Sequence, residues 1–147
     1  MKDNHPEKIP PLSAGDYGRS LRGIGFNLLV SDVALAVTFA TEVLGATCFF
    51  ETDGFAAMKL HGCDFMFHAD HTYRHNALAG LVAGLEGRGA GVELRVYGCD
   101  PDFAEAKARA GGWTVLSGSI DKPHGLRECI ILDGDGYAWV PGIAIED

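Results

Sequence analysis

Positive charge is scarce in this sequence. Twelve Lys and Arg residues stand against twenty Asp and Glu over 147 residues, a formal net charge of −8. Nucleic-acid binding through phosphates needs a basic surface, so that class of partner is excluded. Long apolar runs are missing too. No stretch approaches the roughly 18 residues of a spanning helix, so no membrane partner is expected. Between Met1 and Leu12 the chain is polar, carries Pro6, Pro10 and Pro11, and has no apolar centre of the kind a secretory signal needs. The four cysteines, Cys48, Cys63, Cys99 and Cys129, form no C-x-x-C pair and sit in or beside apolar stretches. They read as reduced, small hydrophobic side chains, and the expected location is cytoplasmic. No G-K-[ST] phosphate loop occurs, and Gly87 to Gly91 follows no strand that would start one. Ser117-Gly118-Ser119 lacks the surroundings of a nucleophile elbow.

What is present is pattern. Residues 1–21 read as an extension outside the core, rich in Pro, Gly and charge, either disordered or crossing to a partner subunit through Tyr17 and Leu21. Residues 22–147 read as one domain. Ile24 to Val30 is an apolar strand, and Ser31-Asp32 caps a helix whose apolar residues, Val33, Leu35, Ala36, Phe39, Ala40 and Val43, recur mostly at helical spacing. Gly45 closes it. Strands follow at Thr47 to Glu51, Phe55 to Leu60 and Cys63 to His68, separated by the turn signals Asp53-Gly54 and His61-Gly62. A polar then Gly-rich connection, Ala69 to Gly91, holds at most a turn or two of helix at Leu78 to Leu85.

The order then repeats. Val92 to Tyr97 is a strand, Asp100-Pro101 opens a helix, and Gly111-Gly112 stops it. Trp113 to Ser117, Leu126 to Leu132 and Tyr137 to Ile143 read as strands, with Asp133 to Gly136 turning the last pair. Two βαβββ modules, about 24–69 and 91–143, account for most of the domain. One unit alone cannot bury both its sheet and its helix, so the two are expected to pair. The fold class is α+β, two βαβββ modules forming a cupped pair of half-barrels.

Two motifs give this repeat a likeness. Val30-Ser31-Asp32, with Phe39 and Glu42-Val43-Leu44-Gly45, resembles the V-x-D…FY…xVLG opening of the vicinal oxygen chelate superfamily, which holds glyoxalases, bleomycin resistance proteins and extradiol dioxygenases. Ala40 stands where Tyr is common. Gly125-Leu126-Arg127-Glu128 and Asp133-Gly134-Asp135-Gly136-Tyr137 resemble its G-x-R-E…D-P-D-G-Y signature, with Gly134 in place of Pro. The resemblance spans residues 24–143. It implies a cup, commonly completed in a homodimer, and in the enzymes a divalent metal held by one His, Gln or Glu from each of four strands.

Carried over one by one, those four positions are Gly25, Met66, Gly91 and Val140. None offers the oxygen or imidazole donor that a hard cation takes. A two-residue slip brings Asn27, His68 or Glu93 inward, because strand side chains alternate. His68, His71 and His75 form a second candidate set, but no helix is expected to gather them, and a solvated loop is the plainer reading.

Strand parity selects the side chains in phase with the cup: Asn27, Met66, His68, Glu93, Arg95, Glu128 and Ile130. Arg95 between two carboxylates is either a structural ion pair or a grip for a ligand carboxylate or phosphate. A buried carboxylate there is a candidate acid or base if burial raises its pKa. The expected function is metal-free binding of a small organic molecule, as in the bleomycin resistance proteins. The alternative is a glyoxalase-like lyase or isomerase, or a dioxygenase, working through a shifted divalent metal or through Glu93 and Glu128.

Overall fold

The structure is a computed structural model that describes residues 13–146. The expected module order is present. β1 (Phe26–Val30), α2 (Val33–Glu42), β2 (Thr47–Glu51), β3 (Phe55–Leu60) and β4 (Cys63–Ala69) form the first module, behind a short helix α1 (Ala14–Ser20). A 3-10 turn (Asp70–Tyr73) and α3 (Ala79–Val82) lie in the connection. The second module is β5 (Glu93–Tyr97), α4 (Pro101–Gly111), β6 (Thr114–Asp121), β7 (Leu126–Leu132) and β8 (Ala138–Ala144). Each module makes a four-stranded sheet of the same topology, β1-β4-β3-β2 and β5-β8-β7-β6. In each, the first and last strands pair parallel and the others antiparallel.

Local chemistry explains the helix ends. The Asp32 carboxylate accepts the amide of Leu35, and that of Asp100 accepts those of Asp102 and Phe103. Such a cap stabilises a helix by about 1 kcal/mol. Pro101 takes the first turn of α4, where its missing N–H costs nothing. Gly112 ends α4 at φ 79, a conformation open to glycine.

Two segments differ from expectation. Ala14–Ser20 is helical: Ser13 caps it by accepting the Asp16 amide, and Asp16 pairs with Arg19 at 2.7 Å. The part of the proposed extension on residues 1–12 lies outside the described residues. β6 also runs past Ser117 to Asp121, with two register shifts. Glu105 of α4 supplies the reason: its carboxylate accepts the Ser119 amide at 2.9 Å and lies where a Cβ on Gly118 would clash. A turn-like Ser-Gly-Ser is thus held as a bulged strand.

The core lies where the helix-bearing faces of the two sheets meet. Phe39 of α2 packs on Trp113 and Trp139, and Trp139 also packs on Phe26 and Phe65 of the first sheet. A strap crosses the junction outside this core. Arg88, in the connection, donates to both oxygens of Asp70, at 2.6 and 2.8 Å, and to the Leu29 carbonyl. The Asp135 carboxylate accepts the Ser31 amide, and the Tyr137 hydroxyl donates to the Leu29 carbonyl at 2.9 Å. Among the described residues no helix is long and apolar enough to cross a membrane.

Candidate functional site

The core uses one face of each sheet, so the other face of each is where alternation puts the remaining side chains. On the first sheet, Phe65 and Phe67 of β4 are buried in the core, which turns Asp64, Met66 and His68 to the opposite face. The register places Asn27 beside Met66 and Phe55 beside His68 on that face. On the second sheet, Cys129, Ile131 and Trp139 belong to the core. Glu128, Ile130 and Leu132 therefore share the opposite face with Glu93 and Arg95, opposite Ala138, Val140 and Gly142 of β8. The seven side chains selected by parity thus fall on the faces away from the core.

They do not form one set. Among the described residues no hydrogen bond, ion pair or ring contact joins Asn27, Met66 and His68 to Glu93, Arg95, Glu128 and Ile130. The expected pair of half-barrels is present, and in one chain their cup-facing side chains stand as two half-cups, with the aromatic core packed where the helix-bearing faces meet.

The first half-cup is aromatic. His68 packs on Phe55 at 4.8 Å and on Tyr73 at 5.2 Å between ring centroids. Its Nδ1 donates to the Asn27 Oδ1 at 2.6 Å, and the Asn27 amide donates to the Tyr73 hydroxyl at 2.8 Å. This chain fixes the tautomer and leaves Nε2 as an acceptor. Burial holds the His68 pKa below the ordinary histidine value, which keeps the ring neutral. Tyr73 carries no sequence signal of this role, since nothing in a polar loop marks it as a partner of Asn27 on β1.

The second half-cup is ionic at its centre and apolar around it. Arg95 donates from one terminal nitrogen to Glu93 at 2.8 Å and from the other to Glu128. Glu128 is 8% exposed, Arg95 27% and Glu93 52%. His124 lies 3.2 Å from the same Glu128 oxygen; its i, i+4 spacing from Glu128 was the one available sequence signal, and it lies in a turn rather than a helix. Burial pulls the Glu128 pKa up, but His124 and Arg95 outweigh it, and the carboxyl sits below its ordinary value. The condition for an acid role, a pKa raised by burial, is not met at Glu128, whose two cationic neighbours favour the anion. Beside it, Val92, Glu93, Leu116, Ile130, Leu132 and Ala138 line an open groove of about 710 Å³.

The donor set does not fit a divalent cation. Gly25 and Gly91 have no side chain, and Met66 and Val140 stand on the two faces without hard donors. The nearest alternatives are committed elsewhere: Nδ1 of His68 to Asn27, and Glu93 and Glu128 to Arg95. A guanidinium between two carboxylates puts a positive charge where an ion would have to sit. His71 falls in the 3-10 turn and His75 beyond it, both exposed, while His68 points into the half-cup. The three do not gather, and no group of three or more His, Cys, Asp or Glu with metal-binding geometry occurs among the described residues.

No family model and no curated protein matches this chain. Solved structures do. One described as a glyoxalase/bleomycin resistance protein/dioxygenase from Nocardioides is 25% identical, with 90% of this chain and 93% of that one covered at a TM-score of 0.62. A glyoxalase/bleomycin resistance protein/dioxygenase family enzyme from Burkholderia phytofirmans PsJN is 16% identical, covers 82% and 97%, and scores 0.68. A lactoylglutathione lyase from Agrobacterium tumefaciens is 16% identical, covers 83% and 92%, and scores 0.60.

Proposed function

We propose that this chain, which shares its fold with glyoxalase/bleomycin resistance/dioxygenase structures and carries two motifs that resemble those of the vicinal oxygen chelate superfamily, binds a small organic molecule without a metal, in a cup completed by a second copy. The carrying observation is the Glu93–Arg95–Glu128 trio, which puts a guanidinium at the centre of the second half-cup. The two half-cups supply the second argument. The second face is open in one chain, with Tyr97, Leu116 and Ile120 exposed, and the first carries only the short helix α1. A face of one copy set against the other face of its partner encloses a site; one chain alone does not.

The chemistry narrows the ligand. Each terminal nitrogen of Arg95 already donates to a carboxylate, and the trio of Glu93, Arg95 and Glu128 carries a formal net charge of −1. A ligand carboxylate or phosphate is disfavoured unless Glu93 swings away. The His68 Nε2 and the carboxylate oxygens are acceptors. A flat, uncharged molecule with a hydrogen-bond donor fits these groups best.

The test uses one variant in each face. His68→Ala and Ile130→Asp are each expected to weaken binding of 2-naphthol, a flat neutral donor, by about tenfold or more, since each removes or spoils about 1.4 kcal/mol of contact. A variant that binds as the wild type does removes its face from the site.

A further inference from the structure

Helix α1 lies on the face of the first sheet that carries Asn27, Met66 and His68, and one side chain holds it there. The Tyr17 ring packs against Phe49 at 5.9 Å and edge-on against Phe55 at 6.3 Å. Phe55 in turn packs on His68. α1 buries no residue of its own. Its polar contacts, Ser13 to Asp16 and Arg19 to Asp16, are internal. The link to β1 contains Gly23 at φ 75 and a fully exposed Ile24. The Tyr17 hydroxyl is buried and has no hydrogen-bond partner among the described residues.

These observations conflict with α1 being an ordinary structural cover. Such a helix would bury an apolar stripe and satisfy its polar atoms. Tyr17 has a ring that fits and a hydroxyl that does not. We propose that Tyr17 is an intramolecular plug: its ring occupies the place on the Phe49–Phe55 shelf meant for a flat aromatic ring of the ligand, and ligand entry lifts α1 away. The proposal rests on the reading that this half-cup binds a small organic molecule. It adds the ring class and a competition between helix and ligand. While the plug is seated, the measured affinity is reduced by the fraction of molecules that have it open. The unpartnered hydroxyl keeps that fraction from vanishing, because a buried donor without an acceptor weakens the closed state.

The test is a fluorescence titration of full-length protein with 2-naphthol. Tyr17→Ala removes the plug and is expected to bind roughly tenfold more tightly than wild type. Tyr17→Phe keeps the ring and drops the strained hydroxyl, so it is expected to bind several-fold more weakly. In 3-fluorotyrosine-labelled protein, with the Tyr17 signal assigned through Tyr17→Phe, saturating naphthol is expected to move that signal to the position of an exposed tyrosine. Equal or weaker binding by Tyr17→Ala, or naphthol bound with the Tyr17 signal unmoved, overturns the plug. If His68→Ala weakens binding while Tyr17→Ala leaves it alone, the plug falls and the binding site stands. Absence of saturable binding by wild type and Tyr17→Ala alike overturns both.

Discussion

Arg95 shows how a single residue changes meaning once its neighbours are known. From parity it reads as either a structural ion pair or a grip for a ligand carboxylate or phosphate. In the structure it neutralises Glu128, which is 8% exposed. Truncating one partner of a buried pair leaves the other charge unpaired, and that is more costly than the pair is worth. Arg95→Ala is therefore expected to lower stability by about 2 kcal/mol as well as to weaken binding. Arg95→Met with Glu128→Leu removes both charges and is expected to recover most of that loss. Chemical denaturation of the single and double variants checks both. A single variant as stable as wild type means that Glu128 is solvated and the trio is not a unit. The residues in phase with the cup were legible because strand alternation is strict. Their partners, Tyr73 and His124, were not, since they come from loops with no period to read.

At the level of elements, the two Asp caps and the Gly stops were legible in the sequence, and α2 and α4 begin and end there. The misreadings share a cause. Ser117-Gly118-Ser119 carries turn chemistry, yet a side chain from α4 recruits it into β6. Ala14–Ser20 lacks an apolar stripe, yet a serine cap and one seated tyrosine make it a helix. Tertiary contact overrides local preference in both. The connection between the modules is packed against the last turn more tightly than its composition suggests. A Cβ on Gly89 would lie 2.7 Å from the Tyr137 Cα and 2.9 Å from the Gly136 carbonyl, both backbone atoms that cannot swing aside. Gly89→Ala is expected to destabilise by about 2 kcal/mol or more through overpacking, lowering the thermal midpoint, while Gly87→Ala, with open space around it, is expected to change little. Equal midpoints for the two variants would show that the strap does not press on the turn.

For the whole molecule, the repeat and the two flanking motifs were enough to give the paired-module fold. They did not give the placement of the two faces, because parity says which side of a sheet a residue takes and nothing of how two sheets meet. That meeting is set by Phe26, Phe39, Phe65, Trp113 and Trp139, which were legible as core and not as the wedge between the modules. One chain therefore offers two half-cups. Native mass spectrometry of the purified protein at saturating 2-naphthol reads chain number, bound molecule and bound ion together. The predicted species is two chains with naphthol bound and no ion mass, unchanged after exhaustive chelation. A divalent ion retained for each cup, with naphthol lost when chelation strips it, contradicts the account.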